Sequence, residues 1–202
     1  MQVAFGMRAH SGWAALVVVG IHAGELRVVD RRRVELIERA DAAWASAPYH
    51  AAEHLNSDEA RVLVERGIAS ARLIAVRELR AAVARAREAG QRVRACAVLL
   101  TEPMPDWSVA EVLAVHFRMH KAEGVLFRDA LARAAVECDL KLVGIQEKQF
   151  EAQAARILGK SLPSVRATIA SLGKSVGPPW GKDQKDATLA AVIALHGRSS
   201  TS

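Results

Sequence analysis

Asp183 and Asp186 open an apolar C-terminal segment in the run Asp-Gln-Lys-Asp-Ala, and Glu102 stands just past a strand-like run at 93–100. Carboxylates are hard oxygen donors, and several of them converging is what Mg²⁺ or Mn²⁺ requires. Residues three apart project from one face of a helix start, where the helix dipole also favours negative charge. Glu102, Asp183 and Asp186 are therefore a candidate set of metal ligands. Their surroundings are basic: within 141–186, eight Lys and Arg stand against four acids. A phosphodiester suits such a site, because lysines neutralise its backbone while a metal meets the central phosphate. Lys160, Lys174, Lys182 and Lys185 are the candidate backbone contacts. Trp180, in the Gly-Pro-Pro-Trp-Gly run beside Asp183, could stack on a base or fill the core.

Three other patterns invite chemistry. His50-Ala-Ala-Glu53-His54 has the H-x-x-E-H order of the inverted zinc peptidases, although the flanking sequence does not resemble theirs. His116 and His120 repeat the one-turn spacing without an intervening acid, and they read as packing or surface residues. Gly-Lys-Ser occurs at 159–161 and 173–175. A phosphate-binding loop needs a further Gly with four residues between, and Ala154 and Thr168 occupy those positions. Both Gly159 and Gly173 are instead expected to end helices.

Composition bounds the class. With 202 residues, 51% hydrophobic and 25% charged, the chain is long enough for one domain with a substantial core, expected over 1–196 with a disordered tail at 197–202. The net charge of +6 fits an acidic partner such as DNA or RNA. Cys96 and Cys138 lack metal-ligand spacing and read as small core residues in a reducing, cytoplasmic protein. The first residues lack a secretory signal pattern, and the apolar run at 17–21 is too short to cross a bilayer, so no membrane partner is expected.

Positioning the carboxylates falls to alternating strands and helices. Val-, Leu- and Ile-rich runs at 3–7, 14–21 and 25–34, separated by Gly12 and His22-Ala-Gly24, read as an antiparallel meander. Arg31 to Arg33 continue the third run as a basic stretch. A helix capped by Ser57 follows, with Val62, Ala69, Leu73, Val76 and Val83 as its apolar positions and Gly90 at its end. The near-continuous apolar run 93–100 suits a strand buried on both faces. A helix capped at Asp106 or Ser108 then runs to Cys138 with a break near Gly124, followed by a strand at 140–145 and helices at 150–158, 164–172 and 183–195.

The order β-β-β-α-β-α-β-α resembles the ribonuclease H-like fold, a mixed five-stranded α/β sheet with helices on both faces. Within that superfamily the chain resembles the RuvC-type resolvases. The resemblance is carried by Gly12-Trp13-Ala14 entering the second strand, Glu102 after the fourth, Lys141-Leu-Val-Gly-Ile, and Asp183, Asp186 and Ala187 at the last helix. It implies that Glu102, Asp183 and Asp186 are catalytic, holding Mg²⁺ or Mn²⁺ that activates water and stabilises the leaving oxygen. It also implies DNA or RNA as partner, branched forms included, and admits a homodimer. Active relatives place an Asp on the first strand, and the corresponding position here is Met7 or Arg8. Neither binds Mg²⁺. Arg8 is expected to pair with Asp183 or Asp186 in the metal's place. The function expected is thus nucleic-acid binding with hydrolysis impaired or lost. The alternative is a non-catalytic interaction or assembly module on the same fold.

Overall fold

Near-continuous apolar runs in the first third of the chain form long strands whose two faces bury different partners. In the computed structural model, which describes residues 1–197, β1 (Gln2–His10), β2 (Trp13–His22) and β3 (Glu25–Glu35) form an antiparallel meander. Ala23 and Gly24 both have positive φ, 50° and 83°, the two-residue turn whose twist matches its flanking strands. β4 (Arg92–Leu100) runs parallel to β1, and β5 (Leu142–Gln146) parallel to β4. The resulting order, β3-β2-β1-β4-β5, is the expected mixed five-stranded sheet.

A 3₁₀ turn (Arg39–Asp41) leads into α1 (Ala42–Ala45), α2 (Pro48–Ala51) and the long α3 (Ser57–Glu88). With α4 (Val109–Leu113) and α5 (His116–Glu137), α2 and α3 cover the sheet face presented by Val3, Phe5, Met7 and Ala9. The opposite face, presented by Ala4, Val17, Ala97 and Leu99, is covered by α6 (Phe150–Leu158), α7 (Leu162–Val176) and α8 (Lys182–His196). Side chains alternate along a strand, so neighbouring residues of β1 report to different cores.

Gly6 sets the depth of α8. A Cβ there would fall 1.8 Å from the Ala187 carbonyl oxygen and 2.7 Å from the Ala191 amide nitrogen. Helix backbone therefore rests directly on β1, with Ala187, Ala190 and Ala191 fully buried at the contact. This close seat brings the first turn of α8 up to the end of β1.

Several expectations change in detail. Asn56, not Ser57, caps α3, its side chain accepting from the Glu59 amide at 3.0 Å. Of the apolar positions assigned to α3, Val76 and Val83 are buried, whereas Val62, Ala69 and Leu73 are exposed. The buried stripe instead runs through Val64, Ile74 and Leu79, interleaved with Ala60, Ala71, Ala75, Ala82 and Ala86, whose small side chains carry little hydrophobic signal. Gly67 is a seat for Pro48, whose Cβ would stand 2.9 Å from an added Cβ. Ser108 does cap α4 in a reciprocal box with Glu111. The break falls between Leu113 and His116, and Gly124 lies inside α5. Gly159 ends α6 with φ 61°, but Gly173 lies inside α7, where the Trp180 ring packs against it. Residues 198–202 of the expected tail lie outside the described residues. Among the described residues no helix is long and apolar enough to cross a membrane.

Candidate active site

Arg8 follows Gly6 on the same face of β1, so its side chain points toward the start of α8 rather than into the α3/α5 core that takes Met7. There it meets three carboxylates. Arg8 Nε donates to Asp183 Oδ1 at 3.2 Å, and Nη1 lies 2.6 Å from Glu147 Oε1 and 2.9 Å from Asp186 Oδ2. The two Nη1 contacts are close ion pairs without hydrogen-bond alignment. The Arg8 and Asp186 side chains are only 13% and 12% exposed, so this charge balance is made largely out of water.

Further cations complete it. Lys182 Nζ reaches Asp186 Oδ2 at 2.6 Å from one turn earlier on α8, and Arg128 of α5 reaches Glu147 Oε2 at 3.3 Å. His10 Nε2 lies 2.8 Å from Asp183 Oδ1, with its ring stacked on Trp13 at 4.4 Å. Asp183 sits in the first turn of α8, where the helix dipole supports its charge. Gln184 closes that turn by accepting from the Gly181 amide at 2.9 Å.

The structure thus brings Asp183 and Asp186 together and adds Glu147, which in the sequence stands out only as one of four acids in the basic stretch 141–186. Its signal was positional. Glu147 follows β5, whose end is level with that of β4, and its amide donates to the Leu100 carbonyl at 2.9 Å. The carboxyl ends of parallel strands are where α/β sheets gather functional groups. Glu102, at the end of β4, instead pairs with Lys148 at 2.7 Å, both side chains being strongly exposed. The Lys148 hydrogen bond holds the Glu102 carboxyl below the usual range, and Glu102 in turn raises Lys148.

Beside this cluster, α6, α7 and α8 enclose a groove of about 600 Å³. Phe150, Val165 and Leu189 line it with apolar surface, while Arg166, Lys182 and Lys185 supply positive charge. Lys160 and Lys174 are exposed at the two ends of the α7 region, Lys160 donating to Thr168 at 3.4 Å. Trp180 is half-buried, its Nε1–H donating to the Ile169 carbonyl at 3.1 Å and its ring against Gly173. Arg31 of β3 holds the loop carrying Trp180 through the carbonyls of Val176, Pro178 and Pro179, which gives part of the basic stretch a structural task.

The H-x-x-E-H segment does not form a two-histidine helical pair. α2 ends at Ala51, and His54 falls in the turn that follows.

No protein-family model matches the chain, and no curated protein sequence matches it. Solved structures do. The chain is similar to a Thermus thermophilus RuvC structure at 13% identity and TM-score 0.50, over 96% of this chain and 93% of that one. It is similar also to T. thermophilus RuvC in complex with a Holliday junction substrate, at 14% identity and TM-score 0.52, over 97% and 94%. The fold is RuvC-like and ribonuclease H-like. In this RuvC-like frame Asp183, Asp186 and Glu147 converge on Arg8, which contacts all of them. A guanidinium and a divalent cation repel one another and compete for the same oxygens, so the donor set does not fit Mg²⁺ or Mn²⁺ while Arg8 stays in place.

Proposed function

We propose that this chain binds DNA or RNA, branched forms included, and that metal-dependent phosphodiester hydrolysis is impaired or lost. The observation that carries the loss is Arg8. It stands on the strand where active relatives of this fold are expected to carry an Asp, and it neutralises the acids a metal would need. No hydrolytic step is assigned, because the site lacks room for the ion's charge. Binding is supported by the exposed Lys160, Lys174, Lys182 and Lys185 around the groove, and by the Holliday junction bound to RuvC of the same fold.

The test is anisotropy or gel-shift binding to four-way-junction, duplex and single-stranded probes across a salt series. If each of these four lysines meets a phosphate, log K should fall against log salt with a slope of about 3.6 on duplex DNA. No binding to any probe at low salt would overturn the reading. Any residual cleavage should require Mg²⁺ or Mn²⁺ and disappear in Glu147→Gln or Asp186→Asn, while Glu102→Gln, outside the cluster, should leave it unchanged.

A second reading, an assembly module or homodimer, is favoured by Leu73, which is 73% exposed on α3. It lines a groove of about 540 Å³ with Arg72, Val76, Arg80 and Glu137. Light scattering of wild type and Leu73→Asp tests it. A dimer that Leu73→Asp dissociates supports it, and a monomer at every concentration removes it.

A further inference from the structure

Three imidazoles from two separate elements converge on the sheet face opposite the acidic cluster. His50 lies on α2, and His116 and His120 stand one turn apart at the start of α5. One ring nitrogen of each lies within 4.8 Å of the others. The rings do not stack. His116 and His120 meet edge to face at 87°, His50 meets His116 at 90°, and His50 is tilted by 53° to His120.

The outer nitrogen of His50 is already engaged. Glu123 Oε2 lies 2.7 Å from His50 Nδ1, and Glu123 Oε1 accepts from the His50 amide at 3.1 Å. A carboxylate there needs a donor, so in the neutral ring Nδ1 carries the proton and Nε2 is the nitrogen free to ligate. Glu53 Oε1 stands 3.9 Å from His116 Nδ1, on the side of that ring away from His120. Carboxylates behind imidazoles are the usual outer support of histidine metal ligands.

We propose that His50, His116 and His120 bind one borderline divalent transition metal of the Zn²⁺ class. His116 Nε2 and His120 Nε2 are 3.1 Å apart. Tetrahedral Zn²⁺ with bonds of 2.0–2.1 Å needs its ligand nitrogens about 3.3 Å apart, so a small rotation of either ring suits that pair, and His50, within 4.8 Å of both, would close on the ion by a rotation of its own. Imidazole nitrogen selects Zn²⁺, Co²⁺, Ni²⁺ or Cu²⁺ over Mg²⁺, which wants oxygen. Glu53 and Glu123 supply the compensating negative charge. His116 and His120 are exposed, which leaves the fourth position to water or to an incoming ligand. The bound ion would tie the short α2 to the first turn of α5. Glu53 belongs to this site while His54 does not, so the H-x-x-E-H run contributes two of its residues to a different constellation.

The experiment is Co²⁺ titration of the full, tag-free chain after removal of bound metal, read by visible absorption, with Zn²⁺ competition for affinity. A visible band saturating near one equivalent and displaced by Zn²⁺ is expected. His116→Ala and His120→Ala, both exposed positions, should abolish the band with circular dichroism unchanged. His54→Ala and His10→Ala should leave it intact, and Glu123→Gln should weaken Zn²⁺ binding about 10- to 100-fold. Absence of a saturable band overturns the proposal, as does a band that survives loss of both His116 and His120 or that needs His54.

Discussion

Replacing Arg8 with Met removes one charge and keeps most of the side-chain volume, and it should convert the acidic cluster from self-neutralised to metal-seeking. At an effective dielectric near 20, two unit charges about 4 Å apart interact by about 4 kcal/mol. Desolvation offsets most of the gross attraction in the wild type, yet removing one partner from a buried pair still costs about 3–5 kcal/mol, because the other charge stays behind. Asp183 and Glu147 are 28% and 27% exposed, and Lys182 and Arg128 remain nearby, so the lower figure applies. For a chain of this length about 3 kcal/mol corresponds to a fall in Tm of about 6–12 °C. The assay is thermal unfolding of wild type and Arg8→Met with and without Mg²⁺, an ion the histidine cluster does not hold. At a hundredfold excess over its Kd, Mg²⁺ should return about 2.7 kcal/mol to the variant and leave the wild type unchanged. An unaltered Tm in Arg8→Met, or an equal Mg²⁺ response in both proteins, would refute the reasoning.

Gly6→Ala should destabilise by about 3 kcal/mol or more, since the added methyl meets helix backbone that has no rotamer to yield; an unchanged urea midpoint would contradict the seat assigned to α8. Cys96 is fully buried and its thiol is pushed up to about 12, whereas Cys138 is only partly buried, its thiol also raised by burial. A thiol reagent at mildly alkaline pH should therefore label Cys138 in the native protein and Cys96 only on unfolding, as peptide mapping would reveal. The Arg166 guanidinium, 2.6 Å from Glu151, holds that carboxyl below the usual range. A lowered folded-state value adds stability above the ordinary glutamate range and loses it as pH falls through the lowered value. The gap in urea midpoint between wild type and Arg166→Ala should thus be largest near neutrality and close in acid; a gap independent of pH would assign it to packing instead.

The strand order and most helices were legible because the signals are local. The Val-, Leu- and Ile-rich runs at 3–7 and 14–21, Gly12 and Gly24 at the turns, the Ser108 and Glu111 box and the Gly159 cap each depend on neighbours in sequence. What failed was also local in cause. The alanines interleaved with Val64, Ile74 and Leu79 on the buried face of α3 blur its apolar period, and Gly173 reads as a helix end until Trp180, seven residues on, is seen against it.

The sequence by itself determined that acids gather at the start of α8, that the sheet is mixed, and that the first strand offers Met7 and Arg8 where a carboxylate was sought. Only the tertiary structure decided between those two. The alternation of β1 sends Met7 into the α3/α5 core and Arg8 toward α8, and Gly6 lets that helix approach closely enough for the guanidinium to reach Asp183 and Asp186. Folding likewise placed Glu147 inside the cluster, left Glu102 with Lys148, and joined His50 to histidines more than sixty positions away. Those pairings depend on distances between elements, and residue order along the chain does not encode such distances one residue at a time.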